Sequence, residues 1–198
     1  MLLDLFGASV SLLSTYFFIR LDSKAWLTTL LATCLNGWLY WQKGIYADML
    51  LEAFYFFSVC YGWYLWRLPA KGDKPFILQL SIKQWLFVGA IVGLFYTIIA
   101  KLLLTFTHSN VAVLDALTTA LSLVAQGLMC YRAIATWILW FFTDALYAYL
   151  YFQKELPFHF LLMLLYTTMA ITGYLSWARR RAIESKPPHL MMTASLIP

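Results

Sequence analysis

Glu52 and Asp144 are carboxylates set inside long apolar runs. Near the middle of a membrane helix such a group costs about 2.5–3.5 kcal/mol, so it faces a cavity or a partner. Glu52 lies nine residues past Lys43 and Asp144 ten before Lys154. At ~1.5 Å rise per residue both sit roughly 13–15 Å below the loops that carry those lysines. Asn36 and Gln126 are further polar groups in apolar surroundings. Trp137, Trp140, Asp144, Tyr147 and Tyr151 step by 3, 4, 3 and 4, which puts them on one helical face. Glu52, Tyr55, Val59, Trp63 and Trp66 are spaced similarly. Aromatic faces beside a carboxylate suit a flat cationic ring. The ring stacks, a cation–π contact adds about 0.5–2 kcal/mol, and the carboxylate supplies countercharge or accepts hydrogen bonds.

Each of these residues also has a structural reading. Trp and Tyr gather at membrane interfaces whatever a protein does, and Trp38, Trp41, Trp63, Trp66, Trp85 and Trp177 all suit that belt. Glu52 and Asp144 could be satisfied by a tyrosine hydroxyl or a backbone group. Asp4 and Asp115 suit solvated helix ends. Ser122 and Thr119 suit bonds back to their own helix. His108 and His159 suit loops or interfaces, and Lys101 suits snorkelling. The sharper reading is kept for Trp137, Trp140, Asp144 and Glu52.

The elements that position these groups must be membrane helices. The chain is 63% hydrophobic and only 12% charged, against about 25% charged in an ordinary soluble domain. Cutting at charges and turn residues leaves seven spans, at 1–19, 25–42, 45–66, 83–104, 111–130, 133–152 and 156–178. The sequence repeats itself at an offset of 111: Ser11 matches Ser122, Trp26 Trp137, Tyr55 Tyr166, Gly62 Gly173 and Trp66 Trp177. Spans one to three therefore correspond to five to seven. The shift is even, so the two copies run parallel and helix four stands between them. The expected fold is an all-α membrane protein of seven helices in a 3+1+3 layout. Its expected parts are a first repeat at 1–66, a linker with the central helix at 67–110, a second repeat at 111–178 and a basic tail at 179–198.

Eleven of the fourteen basic residues fall on the side of Arg20, Arg67, Arg132 and Arg179–Arg181. That side is expected to be cytoplasmic, with the N-terminus outside. The net charge of +5 is then a topology signal, and no nucleic-acid partner is expected. The N-terminus lacks the basic region and cleavage site of a secretory signal. Cys34, Cys60 and Cys130 are scattered, with no CxxC, so neither a disulfide nor a metal site is expected. There is no phosphate loop, HExxH or GxSxG, so the chain reads as no enzyme and calls for no cofactor.

The segment Lys43 to Tyr55 followed by Tyr61-Gly-Trp-Tyr-Leu-Trp66 resembles the PnuC-type vitamin transporters. So do Ser122 to Gln126, Arg132, the Trp137-x-x-Trp140 pair with Asp144, and the closing Tyr166, Gly173-Tyr174 and Trp177. The resemblance covers nearly everything up to Arg181. It implies a SWEET-like fold, a homo-oligomer such as a trimer, and a place in the bacterial inner membrane. It also implies facilitated diffusion of a small cationic aromatic vitamin, nicotinamide riboside foremost, trapped afterwards by a cytoplasmic kinase. Trp137 and Trp140 would line the substrate site. Members of the riboside branch are expected to carry Gln at Glu52 and some to carry Asn at Asp144, which keeps thiamine open as the substrate. A proton-coupled carrier or a non-transporting membrane protein stays as a further alternative. The expected substrate-contacting set is Trp137, Trp140, Asp144, Glu52, Tyr55, Gln126, Tyr147, Tyr166, Asn36 and Trp63.

Overall fold

The computed structural model describes residues 2–43, 46–68, 76–106, 111–153, 155 and 157–184, without the side chains of 2–5, 43 and 46–48. The side chains of Asp4, Lys43, Lys71, Lys74, His108, Lys154 and Lys186 thus lie outside the described residues, as does the tail beyond Glu184. Among the described residues seven helices follow one another: α1 Leu2–Ile19, α2 Lys24–Lys43, α3 Tyr46–Arg67, α4 Ile82–Phe106, α5 Ala112–Cys130, α6 Ala135–Gln153 and α7 Pro157–Glu184. Their ends match the expected ones within two residues, except that α7 runs six residues past 178. The apolar span ends there, but Ala178-Arg-Arg-Arg-Ala182 are good helix formers and continue it into water.

Three helices, Ile82–Phe106, Ala112–Cys130 and Pro157–Glu184, are long and apolar enough to cross a bilayer on length and composition alone. Large apolar side chains face outward, with Phe57 71%, Ile82 81% and Phe158 85% exposed. A water-facing monomer surface does not carry so much apolar area, and lipid must cover it.

The helices pack as two bundles, α1–α2–α3 and α5–α6–α7, joined where α3 meets α5 and α1 meets α7. The short turns that open each bundle are the same turn twice. Leu21 and Arg132 both take positive φ, 57° and 54°. In one turn Asp22 N–H donates to the Phe17 carbonyl, and in the other Ala133 N–H donates to Leu128, each at 3.0 Å. All four residues are related by the offset of 111. Such a left-handed residue closes the helix and lets the chain reverse.

Tryptophans hold each bundle and then hold the bundles together. Gly62 admits the Trp26 ring against the α3 backbone, and Gly173 admits Trp137 against α7 in the same way. Trp26 meets Trp66 edge-on at 5.2 Å, and Trp137 meets Trp177 edge-on at 5.4 Å. Trp66 and Trp177 then touch across the seam at 6.3 Å. Each also donates its indole N–H to the opposite copy, Trp66 to the Met129 carbonyl and Trp177 to Phe18. These contacts gather the C-terminal ends of α1, α3, α5 and α7 at one end, so the two copies run parallel. Arg20, Arg67, Arg132 and Arg181 lie there too, and it is called the arginine end below. Trp66 and Trp177 are thus buried core residues and not belt residues. Trp38 and Trp41 stay exposed, as belt residues do.

Helix α4 lies outside this symmetry and packs on α5. The chain leading into it is pinned at the arginine end. Leu78 bridges the α5–α6 turn through Leu78 N–H to the Arg132 carbonyl and Ile134 N–H to the Leu78 carbonyl. The Arg132 guanidinium sits over the rings of Trp66 and Phe76 and donates to the Trp66 carbonyl at 2.8 Å.

Candidate functional site

Above the tryptophan layer, polar side chains from several helices meet along the seam between the bundles. Tyr55 on α3 donates to Ser122 on α5 at 2.7 Å. Its counterpart Tyr166 on α7 comes within side-chain hydrogen-bonding reach of Ser11 on α1. The two contacts are exchanged by the offset of 111, so each copy reaches into the other once. Ser122 and Ser11 also bond back to their own helices, to the carbonyls of Thr119 and Gly7.

The acidic groups attach to these two crossings. Asp144 is 9% exposed and within electrostatic reach of Tyr166. Glu52 is half-buried, and Asn36 Nδ2 donates to its Oε1 at 3.4 Å. Glu52 and Tyr147 both act electrostatically on Tyr55. Asn36 Oδ1 is so close to α1 that a Cβ on Gly7 would fall 2.8 Å from it. Gln126, one turn beyond Ser122, is 6% exposed, and its Nε2 has no hydrogen-bond partner among the described residues. A buried amide donor without a partner costs about 1–3 kcal/mol, a cost that a bound polar ligand removes. The cluster thus offers carboxylate and hydroxyl acceptors, a spare amide donor and tyrosine rings. It can bind a cationic or amino-bearing aromatic molecule and contains no nucleophile–base pair.

The structure brings Asn36, Glu52, Tyr55, Gln126, Asp144, Tyr147 and Tyr166 to this seam and sets Trp137, Trp140 and Trp63 in or against the tryptophan core. Trp140 is half-buried where the tryptophan core meets the α4–α5 cluster, one turn below Asp144. Trp137 is 2% exposed, its ring against Gly173 and edge-on to Trp177, and its buried indole N–H has no hydrogen-bond partner among the described residues. Its twin Trp26 packs on Gly62 with the outer edge of its six-membered ring, whereas Trp137 meets Gly173 with its ring-fusion atoms. Trp63 packs against the same core as Trp137 and Trp140. It lies eleven residues beyond Glu52 toward the arginine end, about 16 Å along the helix. Its ring carries the Arg67 guanidinium at 4.2 Å.

The family described as nicotinamide mononucleotide transporter matches residues 1–179. The chain belongs to this family. Similar proteins include the nicotinamide riboside transporter PnuC of Escherichia coli, 24% identical over 86% of this chain and 78% of that protein. The nicotinamide riboside transporter PnuC of Neisseria mucosa is 28% identical over 78% of this chain and 63% of that protein. Among solved structures, the crystal structure of the vitamin B3 transporter PnuC superposes with a TM-score of 0.72. It is 23% identical and covers 90% of this chain and 81% of that one. The PnuC-type assignment and the seven-helix membrane fold read from the sequence therefore stand, and the chain is a transporter rather than an enzyme.

Ser122 bonds back to its own helix, as its sequence position suggested, and what the sequence reading lacked was its second contact with Tyr55 and the matching approach of Tyr166 to Ser11. The signal was present, because both serines and both tyrosines recur at the same offset. Polar residues kept in both halves of a duplicated membrane bundle are candidates for bonding across it. His159 packs on Tyr151 at 5.1 Å, away from the acidic pair.

Proposed function

We propose that this PnuC-type transporter carries nicotinamide riboside across the bacterial inner membrane and holds it at the seam between its two bundles. The observation that supports this most is the polar seam itself. A nearly buried carboxylate, an unpartnered amide donor and tyrosine rings converge there, in a family whose similar members are nicotinamide riboside transporters. The pyridinium ring stacks against Tyr147 and Trp140 with Asp144 as countercharge. The carboxamide and ribose use Gln126, Tyr55, Tyr166 and the Asn36–Glu52 pair. One riboside binds per chain, off the pseudo-axis, because Asp144 and Glu52 have Thr33 and Met163 as their repeat counterparts.

The arginine end faces the cytoplasm, as the excess of basic residues there indicates. The segments 1–66 and 111–178 act as the moving halves, and 67–110 links them. Transport is facilitated diffusion by rocking of the halves, with net uptake drawn by a kinase that phosphorylates the vitamin inside. The chain works as a homo-oligomer such as a trimer.

Thiamine is the second reading, on one observation: Glu52 sits beside Asn36 as an acceptor suited to an aminopyrimidine. Uptake of labelled nicotinamide riboside into proteoliposomes, competed by unlabelled riboside or thiamine and repeated under a pH gradient, tests the proposal. Saturable riboside uptake, resistant to thiamine and indifferent to the gradient, is expected. Stronger competition by thiamine would move the substrate, and dependence on the gradient would replace facilitation with proton coupling.

A further inference from the structure

A cavity of about 400 Å³ opens at the arginine end, with none of the seam residues in its lining. Gln79 from the segment leading into α4, Trp85 of α4, Ile134 and Ile138 at the start of α6, and Tyr174 and Arg181 of α7 line it. Its lining has one cation and no acid. The Nη1 of Arg181 is buried and has no hydrogen-bond partner among the described residues. Glu184, the nearest acid along the helix, is engaged elsewhere, accepting from the Phe76 backbone N–H at 3.1 Å. A guanidinium nitrogen left unpaired at a partly desolvated site favours an anion, and a phosphate oxygen matches its geometry.

The rest of the wall says what carries the phosphate. Leu80, Trp85, Ile134 and Ile138 form an apolar surface continuous with the arginine site. The neighbouring first turns of α4 present Ile82, Leu86 and Phe87, all strongly exposed, to the lipid. A ligand with a phosphate head and an alkyl body matches both parts. We propose that this cavity binds an anionic phospholipid from the adjoining leaflet, with its phosphate on Arg181, Gln79 and Tyr174 and a chain along Trp85 and Ile138. The bound lipid ties α4 and its leading segment to α6 and α7, the one part of the fold that the internal repeat does not hold in place. The site rests on the membrane fold alone and is independent of which vitamin is carried.

The test is thermal unfolding of the full chain in neutral detergent, titrated with short-chain phosphatidylglycerol, short-chain phosphatidylcholine or inorganic phosphate. Wild type should be stabilised by phosphatidylglycerol and not by the other two. Arg181→Gln should need about tenfold more phosphatidylglycerol for the same shift, the usual cost of one charge-assisted hydrogen bond. Arg180→Gln removes the same charge outside the cavity and should titrate as wild type. Ala178→Phe fills the cavity with Arg181 in place and should also block the response, so the test survives if Arg181→Gln fails to fold. Equal responses from the Arg181 and Arg180 variants would overturn the site. A full shift from inorganic phosphate alone, lost in Arg181→Gln, would overturn the lipid assignment in favour of a soluble phosphate.

Discussion

The Tyr55 hydroxyl crosses the seam to donate to Ser122 at 2.7 Å, and its counterpart Tyr166 comes within reach of Ser11 from the other copy. Two related crossings at one level, with two indole crossings from Trp66 and Trp177 below them, tie the bundles together by polar contacts that can be exchanged. The proposed rocking of the bundles calls for such contacts: specific enough to define a state and weak enough to break.

Tyr55→Phe and Tyr166→Phe should therefore act as a pair. Each removes one crossing bond worth about 1 kcal/mol net, and each should lower the unfolding midpoint by a similar amount. Initial rates of vitamin uptake should fall severalfold in both with the fold retained. A large loss in one and none in the other would mean that the crossings are not functionally equivalent.

The glycines under the tryptophans are the most sensitive scaffold positions. A Cβ on Gly173 would fall 2.5 Å from the Trp137 ring, and one on Gly62 would collide with Trp26. Gly62→Ala and Gly173→Ala should each cost about 1–3 kcal/mol through forced repacking, seen as lower melting temperature in detergent. Gly89→Ala and Gly93→Ala, where an added Cβ meets nothing, should be neutral or slightly stabilising.

A hydroxyl has changed places between the copies. Ser14 on α1 donates to the Ala25 carbonyl of α2 at 3.2 Å, while Thr136 on α6 donates to the Ala125 carbonyl of α5 at 2.7 Å. Ala25 is the counterpart of Thr136, and Ala125 of Ser14. One interhelical bond is kept with donor and acceptor helices reversed. Ser14→Ala should cost about 1 kcal/mol, and adding Ala25→Thr, which copies the second arrangement into the first bundle, should restore most of it. Chemical or thermal unfolding of the single and double variants measures the recovery; additive losses would refute the exchange.

How much of this was legible in sequence depends on what each feature rests on. Helix limits were readable because charges and turn residues bound each apolar run. The extra length of α7 was missed because a basic stretch ends an apolar span without ending a helix. Asp144, Gln126 and Tyr55 stood out as polar groups in apolar helices, and their convergence needed the fold. Trp137 shares a face with Asp144, and its burial against Gly173 became visible only in the packed bundle. The Ser14–Thr136 exchange escaped notice because a repeat found by identity hides positions where the two copies solve one problem with different residues.

Glu52→Gln separates the two substrate readings. The amide keeps an acceptor for Asn36 and loses the charge. Nicotinamide riboside binding should be retained, whereas thiamine binding, if it exists in wild type, should be lost. Titration calorimetry with both ligands on both proteins reads this directly, and unchanged binding of both would take Glu52 out of the site.

The central claim is that riboside binds at the seam with Asp144 as its countercharge. Calorimetric titration of nicotinamide riboside into purified wild type and Asp144→Asn tests it most directly. The account predicts one saturable site per chain in wild type and at least about tenfold weaker binding in the variant, the loss of a charge-assisted contact of roughly 1.5–3 kcal/mol. Absence of riboside binding to the folded wild type, or equal affinity for both proteins, would contradict it.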